Sequence, residues 1–236
     1  MDKIFYAFRR SFAALVNTKV LFLLLMPPLI AVGGLAILFF IFWTGWTTGL
    51  GAWFSSLWIL QWAQSWPDLG YWIAVVFLLL VFIPLSYLLS VLLTSIFVMP
   101  LVLIWVGNRD FGTLEKKRGG TIAGSIWNAL FSAALFVFYF LISLPLWLIP
   151  GGQILVPLFL TSWLNKRVFM YDVLQDYASQ DERKRLLKNE SKGLYALGML
   201  LGLMNYIPLA FFFVPVLSAL SYTYYGLESL KKMRAP

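Results

Sequence analysis

Cysteine and histidine are both absent from the 236 residues. Without cysteine there are no disulfides and no thiol chemistry. Without histidine the chain lacks the commonest metal ligand and the usual proton carrier near neutral pH. Charge is scarce as well, at 12% of residues against roughly 25% in soluble domains. Its distribution is more telling: residues 20–67, 69–108, 121–165 and 194–227 contain no Asp, Glu, Lys or Arg. Those are the usual marks of proton relays and ion-coupled pumps, so the charge-free runs argue against a carboxylate-based carrier. No Walker-type phosphate loop is present, and Gly33-Gly34 and Gly119-Gly120 are too short to serve as one. Paired carboxylates and metal-ligand spacings are missing too. ATP hydrolysis, enzymatic catalysis, a resident metal and a cofactor are therefore not expected, and neither is a nucleic-acid partner.

Each charge-free run exceeds the ~20 apolar residues needed to cross a hydrocarbon core of ~30 Å. With 61% hydrophobic residues, the chain reads as an all-α integral membrane protein forming one membrane domain, residues 1–236. Two arginines, Arg9 and Arg10, interrupt the first seventeen residues, and no small-residue cleavage site follows, so this stretch is not read as a signal peptide.

Lys and Arg mark the cytoplasmic side. The basic segments are 1–19, 109–118, 166–192 and the tail with Lys231, Lys232 and Arg234. Between the first two, residues 44–70 lack Lys and Arg and carry Trp46, Trp53, Trp58, Trp62 and Trp66, as suits a connection at the far interface. Residues 20–106 are thus expected to hold two long transmembrane helices. The second, residues 71–106, would be ~54 Å long, with Pro84 and Pro100 as bending points. The other two runs each begin and end at basic segments. The spacing predicts helical hairpins that enter the bilayer partway and return: 121–165, turning near 145–152, and 193–228, turning near 205–208. The arm 194–207 is ~21 Å as a helix, too short to span. The turns also resemble one another, since Ile149-Pro150-x6-Pro157 recurs as Ile207-Pro208-x6-Pro215. Paired proline-broken segments of this kind point to repeats. Residues 166–192, with dense alternating charge, are expected to be a solvated cytosolic helical segment.

Phe5, Phe8, Phe12 and Leu15 recur at helical spacing beside Arg9 and Arg10, predicting an amphipathic helix over 1–19 in the headgroup layer. Arg9, Arg10 and Lys19 are candidate sources of positive field for an anion. The sharper candidate is Gly107-Asn108-Arg109-Asp110-Phe111-Gly112. If its glycines take positive φ, Gly107, Asn108 and Gly112 can contribute to a concave nest of backbone N–H groups, with Arg109 adding charge. The plainer reading of this hexapeptide is a helix cap.

The stretch 8–30, Leu148-Ile149-Pro150, Tyr171-Asp172 and Gly198…Ile207-Pro208…Pro215 together resemble the bacterial CysZ sulfate permeases, a family related to a eukaryotic etoposide-induced membrane protein. The resemblance implies two long spanning helices with two partly penetrating hairpins. It also implies a homo-oligomeric pore and sulfate uptake across the bacterial inner membrane for cysteine biosynthesis. Where that family often has Gly-Leu-Arg before the first long helix, this chain has Thr18-Lys19-Val20. That difference shifts the expected sulfate site towards residues 107–112, with Arg9, Arg10 and Lys19 secondary. The rival expectations are a non-transporting membrane scaffold or regulator and, last, an enzyme acting on lipid headgroups.

Overall fold

The computed structural model describes residues 2–15, 18–57, 66, 68–207, 210 and 213–235, with side chains of 18–24 outside the description. Every regular element among them is helical. The chain divides into two compact units, residues 29–90 and a larger one from residues 1–28 and 91–236. Among the described residues three helices are long and apolar enough to cross a membrane: Leu25–Ser56, Leu69–Asp110 and Ile122–Leu148.

The smaller unit pairs most of α2 (Thr18–Ser56) with α3 (Leu69–Leu93). The helices run antiparallel: Phe39 packs edge-on to Phe82 at 5.0 Å, and Phe54 to Phe77 at 5.7 Å. Near the connection the backbones come so close that a Cβ on Gly70 would overlap Gly51 and Ser55. Small residues permit such contact, which substitutes for a hydrophobic driving force that lipid does not supply. Residues 44–56, expected to belong to the connection, are helical and form the last turns of α2. Thr47 and Thr48 donate back to carbonyls at Trp43 and Thr44, so their hydroxyls are satisfied without leaving the helix. Trp58 and Trp62 lie outside the described residues.

Apolar sequence continues α3 through a π-helical segment, Thr94–Val98, into α4 (Met99–Asp110). Pro100 accounts for the change. It has no N–H, and its ring crowds the carbonyl four residues back, so the ladder slips by one residue and the Met99 N–H donates to the Thr94 carbonyl. The predicted disturbance at Pro100 thus appears as a π-bulge, whereas Pro84 lies inside α3.

The first hairpin comprises α5 (Ile122–Ser143), a 3₁₀ turn Leu144–Leu148, and α6 (Gly152–Tyr177). Gly151, at φ 86°, makes the reversal that a residue with a Cβ resists. With 22 residues, α5 is ~33 Å long, enough to span, so arm length does not by itself keep this hairpin shallow. The second hairpin pairs α8 (Ser191–Met204), 14 residues and therefore ~21 Å, with α9 (Val214–Arg234). The proline repeat is only approximate. Pro157 lies inside α6 while Pro215 opens α9, and Pro208 is outside the described residues. The turns do meet, since the Tyr206 hydroxyl donates to the carbonyls of Gln153 and Ile154 at 3.3 and 3.1 Å.

Helix α6 sits at the centre of the larger unit, packed by α5, α8 and α9. The expectation of a solvated segment over 166–192 fails in its first half. Val168, Phe169, Met170, Asp172, Val173 and Leu174 are all buried, because α6 continues to Tyr177. Only α7 (Gln180–Asn189), closed by a Ser179–Glu182 capping box, matches the expected charged helix.

Gly226 of α9 faces Val173 and Met170, and a Cβ there would sit 2.9 Å from Val173 Cγ1. Gly226→Leu should therefore lower thermal stability in detergent by about 1–3 kcal/mol from overpacking. Gly33→Ala, where nothing lies within 4 Å, should be neutral or stabilising by up to about 1 kcal/mol. Equal melting shifts for the two would contradict this packing.

Candidate functional site

The π-bulge brings Thr94 and Ser95 into the interior of the larger unit together. Facing them from α6 is Asp172, 2% exposed. Ser95 Oγ donates to Asp172 Oδ2 at 2.5 Å, and Ser125 Oγ of α5 donates to Oδ1. Ser125 is fixed by the start of α5, where Thr121 caps the Gly124 N–H at 3.0 Å. Three elements far apart in sequence are thus joined through one carboxyl group. Asp172 lies beyond Lys166 and Arg167 towards the basic end of α6, outside the three spans. Burial pushes its pKa up to about 7, the two serine hydroxyls oppose the shift, and nearby Asp176 adds to it. Among the described residues no lysine or arginine forms an ion pair with it. The hydroxyls of Thr94 and Ser132 are also buried, with no hydrogen-bond partner among the described residues, so the surroundings are more polar than the sequence of the spans suggests.

At the basic end, three other acids, Glu182, Glu190 and Asp110, act as cross-braces. Glu182 accepts from Arg234 at 2.9 Å and Lys117 at 2.8 Å. The Arg234 hydrogen bond, more than any other contact, holds its carboxyl far below the usual range against the opposing effect of burial. Arg234 also donates to the carbonyls of Glu115 and Tyr177. Glu190 accepts from Lys3 at 2.5 Å and from the Tyr225 hydroxyl at 2.7 Å. Burial there works to raise its pKa, but these two partners outweigh it and lower the value. Asp110 accepts from the Tyr224 hydroxyl at 2.9 Å and pairs with Arg10 at 3.6 Å.

The hexapeptide 107–112 does not form the expected nest. Gly107, Asn108 and Arg109 are helical residues of α4, and neither Gly107 nor Gly112 has positive φ. A helix C-terminus presents carbonyls rather than N–H groups, which is the wrong polarity for an anion. Gly107 is small for packing: a Cβ there would collide with the Tyr177 hydroxyl. Arg109 stacks over Trp105 at 5.0 Å, and Asp110 turns to Arg10. Among the described residues, Arg9, Arg109, Lys116 and Arg118 have no carboxylate partner, whereas Arg10 does. The Lys19 side chain lies outside the described residues. The structure therefore does not gather the sequence candidates into one pocket. It leaves several uncompensated cations around the basic end of the larger unit.

Asp172 was legible only as half of a short motif. The charge-free run before it ends at Asn165, and the acid falls among residues that read as cytosolic. The available signal was the continuing apolar pattern, Val168-Phe169-Met170 and Val173-Leu174, which marks a buried helix surrounding it.

A buried carboxyl with a raised pKa binds a proton that the unfolded chain has already released. Its contribution to stability is complete below about pH 4 and is lost as pH rises through about 7. Glu182 and Glu190 act oppositely, stabilising above their ordinary range and less as pH falls. The isolating measurement is the difference between wild type and Asp172→Asn. Melting temperatures across pH 4–8 should show wild type losing stability relative to the variant as pH rises, and a constant difference would place the Asp172 pKa near its ordinary value.

The family model described as Sulfate transporter CysZ/Etoposide-induced protein 2.4 matches residues 7–215. No curated protein and no solved structure matches the chain. The matched region begins within α1 (Asp2–Leu15) and ends as α9 opens, so it takes in both long helices and the turns of both hairpins. The chain is an all-α, multi-pass membrane protein that belongs to the sulfate transporter CysZ/etoposide-induced protein 2.4 family.

Proposed function

We propose that the protein passes sulfate across the bacterial inner membrane into the cytoplasm, as a homo-oligomer and without nucleotide hydrolysis, supplying cysteine biosynthesis. The observation that carries this reading is the surplus of cations at one end of a helical assembly whose family includes sulfate transporters. The chain has a net charge of +8, and among the described residues Arg109, Lys116 and Arg118 have no carboxylate partner. Cations at a pore mouth raise the local concentration of anions without binding them tightly. Arg9, which has no carboxylate partner among the described residues, adds to the same field.

Carrying a dianion inward against a potential of ~100 mV opposes transport by about 4.6 kcal/mol, at about 2.3 kcal/mol per charge. A channel would rely on rapid consumption of sulfate inside. A second reading, a carrier in which a proton accompanies the anion, is favoured by Asp172, the buried acid that changes charge near neutral pH. Under that reading Asp172→Asn would abolish the dependence of uptake on a pH gradient.

Labelled-sulfate uptake into liposomes containing only this protein tests the proposal. Uptake should proceed without ATP and be competed by unlabelled sulfate. Arg109→Glu should reduce the initial rate severalfold at low ionic strength and much less at high salt, since the residue acts through its field. Absence of uptake above protein-free liposomes would favour a membrane scaffold.

A further inference from the structure

Helix α1 has two unlike faces. Ala7, Ser11 and Ala14 are buried where the helix packs on α9, with the hydroxyl of Ser221 hydrogen-bonded to that of Ser11 at 3.0 Å. On the opposite face, Phe5 is 72% and Phe12 42% exposed. Phe8 leans on Phe12 at 5.2 Å between ring centres. A groove of about 1070 Å³ runs along this side, lined by Phe5, Phe8 and Phe12, by Leu200 of α8, by Arg9 and Arg10, and by one acid, Asp2. Water is a poor occupant for a groove walled by phenyl and leucyl groups, but a hydrocarbon chain is a good one.

The three cations of α1 have different duties. Lys3 is bound to Glu190, and Arg10 is paired with Asp110 while lying over the Tyr6 ring at 5.7 Å. Arg9 is exposed, has no carboxylate partner among the described residues, and lies one turn from Phe5 and less than one from Phe12 on the outward face. An unpaired guanidinium beside exposed aromatic rings suits an anionic diester phosphate with an acyl chain attached. Free sulfate supplies the charge but nothing to cover the rings.

We infer that the groove between α1 and α8 is a binding site for an anionic phospholipid, with its phosphate on Arg9 and an acyl chain along Phe5, Phe12 and Leu200. Because Lys3, Arg10 and Ser11 hold α1 to the rest of the larger unit, the lipid docks on a helix that is already seated. The site would make the seating of α1 on α9 sensitive to the anionic lipid content of the membrane.

The test uses the full-length protein in mild detergent, with melting temperature followed as phosphatidylglycerol or phosphatidylcholine of the same acyl chains is added. Phosphatidylglycerol should stabilise the protein more, and the preference should shrink at high salt. Arg9→Gln should raise the half-saturating phosphatidylglycerol concentration roughly five-fold, the worth of one interfacial cation, while Arg9→Lys retains most of the preference. Phe5→Ser should weaken binding of both lipids. Equal stabilisation by the two lipids, an unchanged preference in Arg9→Gln, or the same stabilisation by sodium sulfate or inorganic phosphate at matched concentration would each overturn the assignment. The readout is binding in detergent, so it stands or falls separately from sulfate flux.

Discussion

In hydrocarbon every backbone N–H and C=O must find its partner within the protein, and the described structure follows from how this chain meets that demand. Helices meet it locally, which is why the described parts of the apolar runs are mostly helical. The exceptions lie where the local solution breaks down. At Pro100 the missing N–H and the crowded carbonyl convert one turn of a long helix to π geometry. At Gly151 positive φ lets the first hairpin reverse after a 3₁₀ turn, and the Tyr206 hydroxyl caps carbonyls on the reversed strand of chain. The π-bulge turns two adjacent hydroxyl residues, Thr94 and Ser95, inward, whereas the turn at Gly151 is exposed.

Lipid offers no hydrophobic reward for bringing one greasy helix to another, so close association depends on shape and on polar contacts. Gly226 against Val173, Gly107 against the Tyr177 hydroxyl and Gly70 against Gly51 mark places where a side chain has been omitted to let helices approach. The Asp172–Ser95–Ser125 cluster adds a polar clamp across α6, α5 and the π-bulge. Burying a carboxyl group with only hydroxyl donors is unfavourable for its charged form, and this is what moves its titration into the physiological range. A group built this way joins structure to proton concentration, whatever passes through the protein.

At the basic end, acids and bases are sorted rather than averaged. Glu182, Glu190 and Asp110 each bind a cation from a distant part of the chain and so tie α1, α4, α7 and the end of α9 together. Tyr224 and Tyr225, adjacent on α9, serve two of these carboxylates. The arginines and lysines with no carboxylate partner among the described residues supply field to their surroundings. Among them Arg9 and Arg109 differ in setting: the first stands beside exposed phenyl rings, the second over a tryptophan at the end of a long helix.

The helical, membrane-spanning character of the chain was legible because it depends on short-range properties: runs without charge, prolines and glycines, and blocks of lysine and arginine. Even the disturbance at Pro100 was visible, although its π form was not. The sequence misled where one residue type has two possible fates. Residues 166–177 carry charges and look solvated, yet the helix continues and their apolar neighbours are enclosed. The two glycines around Arg109 look like a nest, yet one makes room for a tyrosine hydroxyl and neither adopts positive φ. The all-α membrane class was thus determined by the sequence itself, because bilayer and backbone act on each segment separately. The burial of Asp172, with its serine partners 77 and 47 residues away, and the choice of which carboxylate holds which cation were decided only by tertiary structure, because they are contacts between segments that no local pattern encodes.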